Sequence, residues 1–260
     1  MNKNNPIGVF DSGIGGLTVL DELINHFPHE DFIYVADTLH CPYGIKPKEE
    51  IASLVTRVTS YLLSQNCKAI VIACNTATAN SAHLKDITSI PVIGVIEPTA
   101  KAAITATVNK KIGILATNAT IESNIYQDLI INNNLEAYPV KCSEFVEPIE
   151  DGEIDTVYSH QLVASHLHEL RKKNVDTIIL GCTHFPLYKK EIRKVFPNSQ
   201  LVDSGVATSK VLYQELNNLD LLKEEGVGRV YLNNTKDETL MRSQIGWFKK
   251  PYMSIEKIEI

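Results

Sequence analysis

Two cysteines in this chain each close the same kind of segment. Ala69-Ile70-Val71-Ile72-Ala73 leads to Cys74 and then Asn75-Thr76, and Thr177-Ile178-Ile179-Leu180-Gly181 leads to Cys182 and then Thr183-His184. An aliphatic run of that length between polar flanks reads as a buried strand, so each thiol is delivered to a strand end. A thiol there, just ahead of a helix N-terminus, feels the positive end of the helix dipole, which lowers its pKa and makes thiolate available. Two such thiols on opposite sides of one small molecule suit proton transfer. One thiolate takes a proton from a carbon, and the opposite thiol returns one to the other face, inverting the stereocentre. Acyl transfer would instead pair one cysteine with a histidine and an orienting group, and only the second segment offers a histidine, His184, two residues past Cys182.

The elements that must position these thiols follow from pattern. Ile7-Gly8-Val9-Phe10 is a short strand running into Asp11-Ser12-Gly13, and Ile14-Gly15-Gly16 opens a helix carrying Leu17, Leu20 and Leu23. Glycines at such a turn let backbone N–H groups approach an anion. The dinucleotide fingerprint would need glycine where Thr18 stands, so the turn is read as gripping a small carboxylate. Phe32-Ile33-Tyr34-Val35-Ala36 is a second strand, with Asp37 at its end and the turn-rich Cys41-Pro42-Tyr43-Gly44 beyond. Ile51, Leu54, Val55, Val58 and Leu62 keep the 3.6-residue period of an amphipathic helix. A fourth strand is expected over Pro91-Val92-Ile93-Gly94-Val95-Ile96, and Glu97-Pro98-Thr99 reads as a boundary between units.

From there the pattern restarts. Lys111-Ile112-Gly113-Ile114-Leu115-Ala116-Thr117 echoes the first strand, and Gly8 precedes Cys74 by 66 positions while Gly113 precedes Cys182 by 69. That spacing is what a duplicated unit would give. A strand at Ala137-Tyr138-Pro139-Val140, an acidic loop from Glu144 to Gly152, and a helix with Val163, Leu167 and Leu170 follow. Asp203 caps a later helix, and the tail adds a strand from Arg229 and a helix through Leu240 and Trp247. The expected architecture is α/β: two similar lobes, each a mainly parallel sheet flanked by helices, pseudo-two-fold related with the active site between them. Residues 1–97 with 207–260 form the first lobe and 98–206 the second. Asp11, Ser12, Asp37, Tyr43, Thr117 and Glu150 fall at or just past equivalent strand ends, where ligands of parallel sheets bind.

Composition excludes several partners. The 260 residues are 44% hydrophobic and carry a net charge of −6 with both signs interspersed, leaving no footprint for nucleic acid. No apolar run is long enough to span a membrane, and Met1-Asn2-Lys3-Asn4-Asn5-Pro6 is not a signal peptide, so the protein is expected in the cytoplasm. The five cysteines are odd in number and lack C-x-x-C spacing, which argues for reduced thiols and against a disulfide framework or a metal site.

A family resemblance is carried by Asp11-Ser12-Gly13-Ile14-Gly15-Gly16-Leu17-Thr18, Ala36-Asp37-Thr38 with Pro42-Tyr43-Gly44, and Ala73-Cys74-Asn75-Thr76-Ala77. Gly94-Val95-Ile96-Glu97-Pro98 and Gly181-Cys182-Thr183-His184-Phe185-Pro186-Leu187 complete it. Together, and in this order, these segments resemble the glutamate racemase family. The resemblance implies a cofactor-independent racemase interconverting L- and D-glutamate and supplying D-glutamate for peptidoglycan, with a homodimer as the expected assembly. It implies that Cys74 and Cys182 are the acid/base thiols, Cys74 acting on the D-enantiomer and Cys182 on the L-enantiomer, with Asp11, His184 and a glutamate as auxiliary groups. It further implies substrate contacts from Asp11, Ser12, Asp37, Tyr43, Gly44, Asn75, Thr76, Thr117, Thr183 and His184. The chain departs from the family's pattern at Leu39-His40-Cys41 and over residues 142–150. The second departure leaves Glu150 and Glu147 as alternatives for the auxiliary glutamate, Glu150 being favoured because it ends the Pro-x-x-Glu-like segment. The alternatives in function are a related racemase acting on aspartate or another small acid, and a non-enzymatic sensor of small carboxylates.

Overall fold

Ten strands, all in parallel ladders, form two sheets in the computed structural model, which describes residues 2–260. They are β1 Ile7–Asp11, β2 Phe32–Ala36, β3 Ala69–Ile72, β4 Val92–Gly94, β5 Lys111–Ala116, β6 Glu136–Lys141, β7 Thr177–Gly181, β8 Gln200–Val202, β9 Val230–Asn234 and β10 Ser254–Lys257. The first sheet has the order β10-β9-β2-β1-β3-β4 and the second β6-β5-β7-β8. Stripped of β9 and β10, the first sheet has the same order as the second, counted from β1 and β5. The thiol-bearing strands therefore occupy equivalent places, β3 beside β1 and β7 beside β5.

Alternation along each strand explains why both faces of each sheet are covered. Ile7, Val9, Ala69 and Val71 face one way, onto Leu17, Leu20, Leu212 and Leu216. Phe10, Ile70 and Ile72 face the other way, onto Ile51, Val55, Val58 and Leu62 of the helix Lys48–Ser64. In the second sheet Ile178 and Leu180 pack with Val163, Leu167 and Leu170, while Ile112, Ile114 and Ile179 pack with Ile96, Ala100, Tyr126 and Ile130. Each fully buried aliphatic side chain of this kind contributes roughly 1.5–3 kcal/mol. The helix Ser204–Asn218 ties the lobes together, lying against both Leu17–His26 and Ile96–Ala106. Among the described residues no helix is long and apolar enough to cross a membrane.

Glu97-Pro98-Thr99, between β4 of the first sheet and β5 of the second, lies in the first turn and a half of the helix Ile96–Ala106. Proline is tolerated there because the first N–H groups of a helix have no internal partner. Two local expectations are corrected. The acidic stretch 144–152 is not an open loop: it coils through a short turn at Ser143–Phe145 into the helix Val146–Glu150, because Phe145, Val146 and Ile149 are buried in the second core. The tail contributes two strands rather than one, since β10 pairs with β9 and β9 with β2.

Candidate active site

The strand ends of the two lobes meet in a nearly sealed cleft with about 10 Å³ of free space, lined by Ser12, Tyr43, Asn75, Thr117 and, from opposite sheets, Cys74 and Cys182. Pro42, Gly44, Thr76, Val146, Gly181, Thr183 and His184 complete its wall. Only 5% of Cys74 and 6% of Cys182 is exposed, so both thiols are largely buried.

Cys74 follows β3 and caps the helix Asn75–Ala79, its Sγ accepting the Ala77 N–H at 3.4 Å and lying 3.7 Å from Ser12 Oγ. The expected lowering of its pKa does not materialise. Burial, and then nearby Asp11, push the thiol well up, outweighing the Ala77 N–H and Ser12, which act the other way. That direction favours the protonated thiol, the form that gives a proton.

Cys182 has a different neighbourhood. His184 Nδ1 lies 3.5 Å from its sulfur, and His184 Nε2 lies 2.5 Å from Glu150 Oε1. Burial opposes charge on this imidazole, but Cys182 and Glu150 on its two sides hold its pKa well above the ordinary 6.5. Glu150 also accepts the Ile14 N–H of the first lobe at 3.0 Å, while Gln244 donates to its carbonyl. Glu147 lies in an adjoining cavity of about 720 Å³ that also touches Cys41, Pro42 and Glu150. Of the two candidate acids, Glu150 is thus the one bonded to His184.

A raised folded-state value means that the native protein holds the His184 proton more tightly than the unfolded chain does. Its stabilising effect is fully present below about pH 6.5 and is lost as the pH rises through the raised value. Glu150→Gln keeps an acceptor oxygen for Ile14 but removes the charge. Its melting temperature is expected to fall below the parent's by roughly 2–4 °C near pH 6 and to converge with it on the alkaline side. Thermal melts across that range would check this, and a constant offset would assign the effect to packing instead.

Asp11 is fully buried behind the wall rather than on it. Its Oδ2 accepts the N–H groups of Gly13 and Gly16 at 3.1 and 3.2 Å, and its Oδ1 accepts the Thr183 hydroxyl at 3.2 Å. Burial raises its pKa, against the pull of His184. Asp37 is likewise buried behind the wall, bonded to Tyr43. The remaining substrate-side residues, Ser12, Tyr43, Gly44, Asn75, Thr76, Thr117, Thr183 and His184, do line the cleft.

Two contributors, Tyr126 and Thr120, belong to no motif, and they act on residues that do. Tyr126, from the second lobe, donates to Asn75 Oδ1 at 2.7 Å and so fixes that amide's orientation. Among the described residues Asn75 Nδ2 is buried with no hydrogen-bond partner. Thr76, Thr117 and Thr120 share hydroxyl hydrogen bonds across the lobes at 2.9–3.2 Å. Thr18 donates to the Thr183 carbonyl at 2.9 Å. In sequence Tyr126 is indistinguishable from a core aromatic and Thr120 from an ordinary helix residue, whereas Thr18 closes the first family segment. A grouping with metal-ligand proximity, Asp155, His160 and Glu191, lies elsewhere, and none of its members lines the cleft.

Comparison with known proteins adds a lineage. The profile of the Asp/Glu/Hydantoin racemase family matches residues 11–212. A glutamate racemase of Sulfurihydrogenibium sp. is 42% identical over 234 residues, 88% of each chain. A crystal structure of a glutamate racemase isoform from Bacillus anthracis superposes with a TM-score of 0.95 at 35% identity, covering 100% of this chain and 99% of that one. The glutamate racemase of Francisella tularensis, solved in complex with D-glutamate, gives 0.91 at 34% identity, covering 99% and 98%.

Proposed function

The chain belongs to the Asp/Glu/Hydantoin racemase family, and from that premise we propose that it racemises glutamate without a cofactor, passing protons between Cys74 and Cys182. The observation that carries this reading is that two thiols from different lobes line one narrow cleft. A carbon acid between them loses its α-proton to one sulfur and gains a proton from the other on the opposite face. No bond to the enzyme forms, and the transferred charge never meets bulk water.

The free cleft is too small for glutamate, since about 10 Å³ scarcely admits one water molecule. The lobes therefore part for entry and close over substrate, re-forming the Ile14–Glu150, Thr183–Asp11 and Thr18–Thr183 hydrogen bonds that cross between them. The unpartnered Asn75 Nδ2 suits a substrate carboxylate. In the L-to-D direction Cys182 removes the proton and Cys74, whose thiol burial keeps protonated, supplies the new one. The D-enantiomer meets the reverse arrangement. A family member making D-glutamate would work in the cytoplasm and feed assembly of peptidoglycan.

The test is solvent exchange. Purified protein in D₂O, with no added cofactor, is expected to place deuterium at Cα of L- and D-glutamate while the circular dichroism of either enantiomer decays to zero. Binding without exchange would make the protein a carboxylate sensor, and turnover of aspartate but not glutamate would reassign its substrate.

A further inference from the structure

Asp37 follows β2 and is wholly buried without lining the cleft. Its carboxylate accepts three side-chain hydrogen bonds, from Tyr43 Oη at 2.6 Å, Thr235 Oγ1 at 2.8 Å and His40 Nδ1 at 2.8 Å. A buried carboxylate is costly unless its oxygens are bonded and its charge is answered. Of these three donors only His40 reaches the surface, since Tyr43 and Thr235 are buried. Burial, and then Asp37, push the Tyr43 phenol far up, so it stays protonated and keeps donating.

Tyr43 anchors the wall above it. Tyr43 and Gly44 line the cleft, and a methyl group on Gly44 would fall 2.7 Å from Thr117 Cβ of the other lobe, so the wall has no slack on that side. His40 stands outside the cleft, its side chain 25% exposed, bordering a separate cavity of about 280 Å³ walled by Arg57, Lys257 and Ile260. The chain of contacts thus runs from a surface histidine through a buried carboxylate to the substrate side.

We propose that His40 is a positioning residue, holding Asp37 so that Tyr43 and Gly44 keep the cleft wall in place for substrate; this rests on the glutamate reading above. Losing a wall contact shared by both enantiomers weakens binding of substrate and transition state alike, which raises KM and spares kcat.

The test is a cycle of His40→Leu, His40→Asn and Tyr43→Phe, assayed on both enantiomers. His40→Leu is expected to raise both KM values about tenfold, with each kcat within about twofold of the parent. His40→Asn, which returns a donor near the Nδ1 position, restores most of the loss. In a Tyr43→Phe background, where the hydroxyl link is already cut, His40→Leu adds nothing further. Unchanged KM in a folded His40→Leu protein, a fall in kcat alone, failure of His40→Asn to rescue, or additivity with Tyr43→Phe would each overturn the assignment. If His40→Leu does not fold, His40→Gln, whose longer arm misplaces the amide, takes its place in the cycle. A parent enzyme inactive on glutamate would instead remove the proposed function; an active parent with a failed cycle removes only the role of His40.

Discussion

Serine in place of either Cys74 or Cys182 is expected to lower kcat/KM by about 100- to 10,000-fold, equally for L- and D-glutamate. The symmetry is required by thermodynamics: the enantiomers have equal free energy, so the ratio of the two kcat/KM values is fixed at one in any variant. The size follows from the hydroxyl, which is too weak an acid to serve as the base. Folding should survive, because serine is slightly smaller than cysteine and is the better helix cap at position 74, where the side chain receives the Ala77 N–H. The informative readout is one-sided exchange. If Cys182 acts on L-glutamate, Cys74→Ser still deuterates L-glutamate slowly in D₂O without inverting it, and Cys182→Ser does the same for the D-enantiomer. Full racemisation by either variant would refute the two-thiol account, and exchange of the opposite enantiomers would reverse the assignment of faces.

Much of this arrangement is legible in sequence because burial on both faces of a parallel sheet writes itself as unbroken aliphatic runs. Ala69-Ile70-Val71-Ile72 and Thr177-Ile178-Ile179-Leu180 need no partner to be recognised, and their repeat spacing implies the equivalent places that β3 and β7 occupy. The glycine turn after Asp11 is legible for the same local reason. What is not legible depends on which distant segments meet. Nothing near Tyr126 marks it as the residue orienting Asn75, 51 positions away. Glu150 and Glu147 sit in one acidic stretch, and only the coiling of Val146–Glu150 into a helix, driven by Val146 and Ile149, brings the former to His184. The pKa of Cys74 went the other way from the local expectation because a helix-end effect is short-ranged, whereas sealing by the opposite lobe is a property of the closed fold. β10 is not legible in sequence because Ser254-Ile255-Glu256-Lys257 buries only Ile255, so its register comes from β9 and not from its own pattern.

Alanine at Gly15 is expected to cost about 100-fold in kcat/KM, from a residue that is neither an acid nor a base. A Cβ built there would lie 2.6 Å from Nδ1, 2.7 Å from Cε1 and 2.8 Å from Cγ of His184, closer than carbon atoms tolerate. The imidazole cannot turn aside at little cost, because it is buried and held between Cys182 at 3.5 Å and Glu150 at 2.5 Å. The backbone cannot easily retreat either: Gly15 O accepts the Thr18 N–H, and Gly16 N–H is bonded to Asp11. The methyl therefore displaces the ring by a good fraction of an ångström, and a misplacement of that order beside a reacting group is where a hundredfold loss arises. Because the clash falls on the Cys182 side alone, exchange of L-glutamate should suffer most, while D-glutamate still loses its proton to Cys74. Gly246→Ala, where an added Cβ meets nothing within 4 Å, is the control and should leave both rates unchanged. Equal loss of both exchange reactions in Gly15→Ala would mean that the substitution disturbs lobe closure as a whole. Full activity would mean that the position of His184 against Cys182 is not used in catalysis.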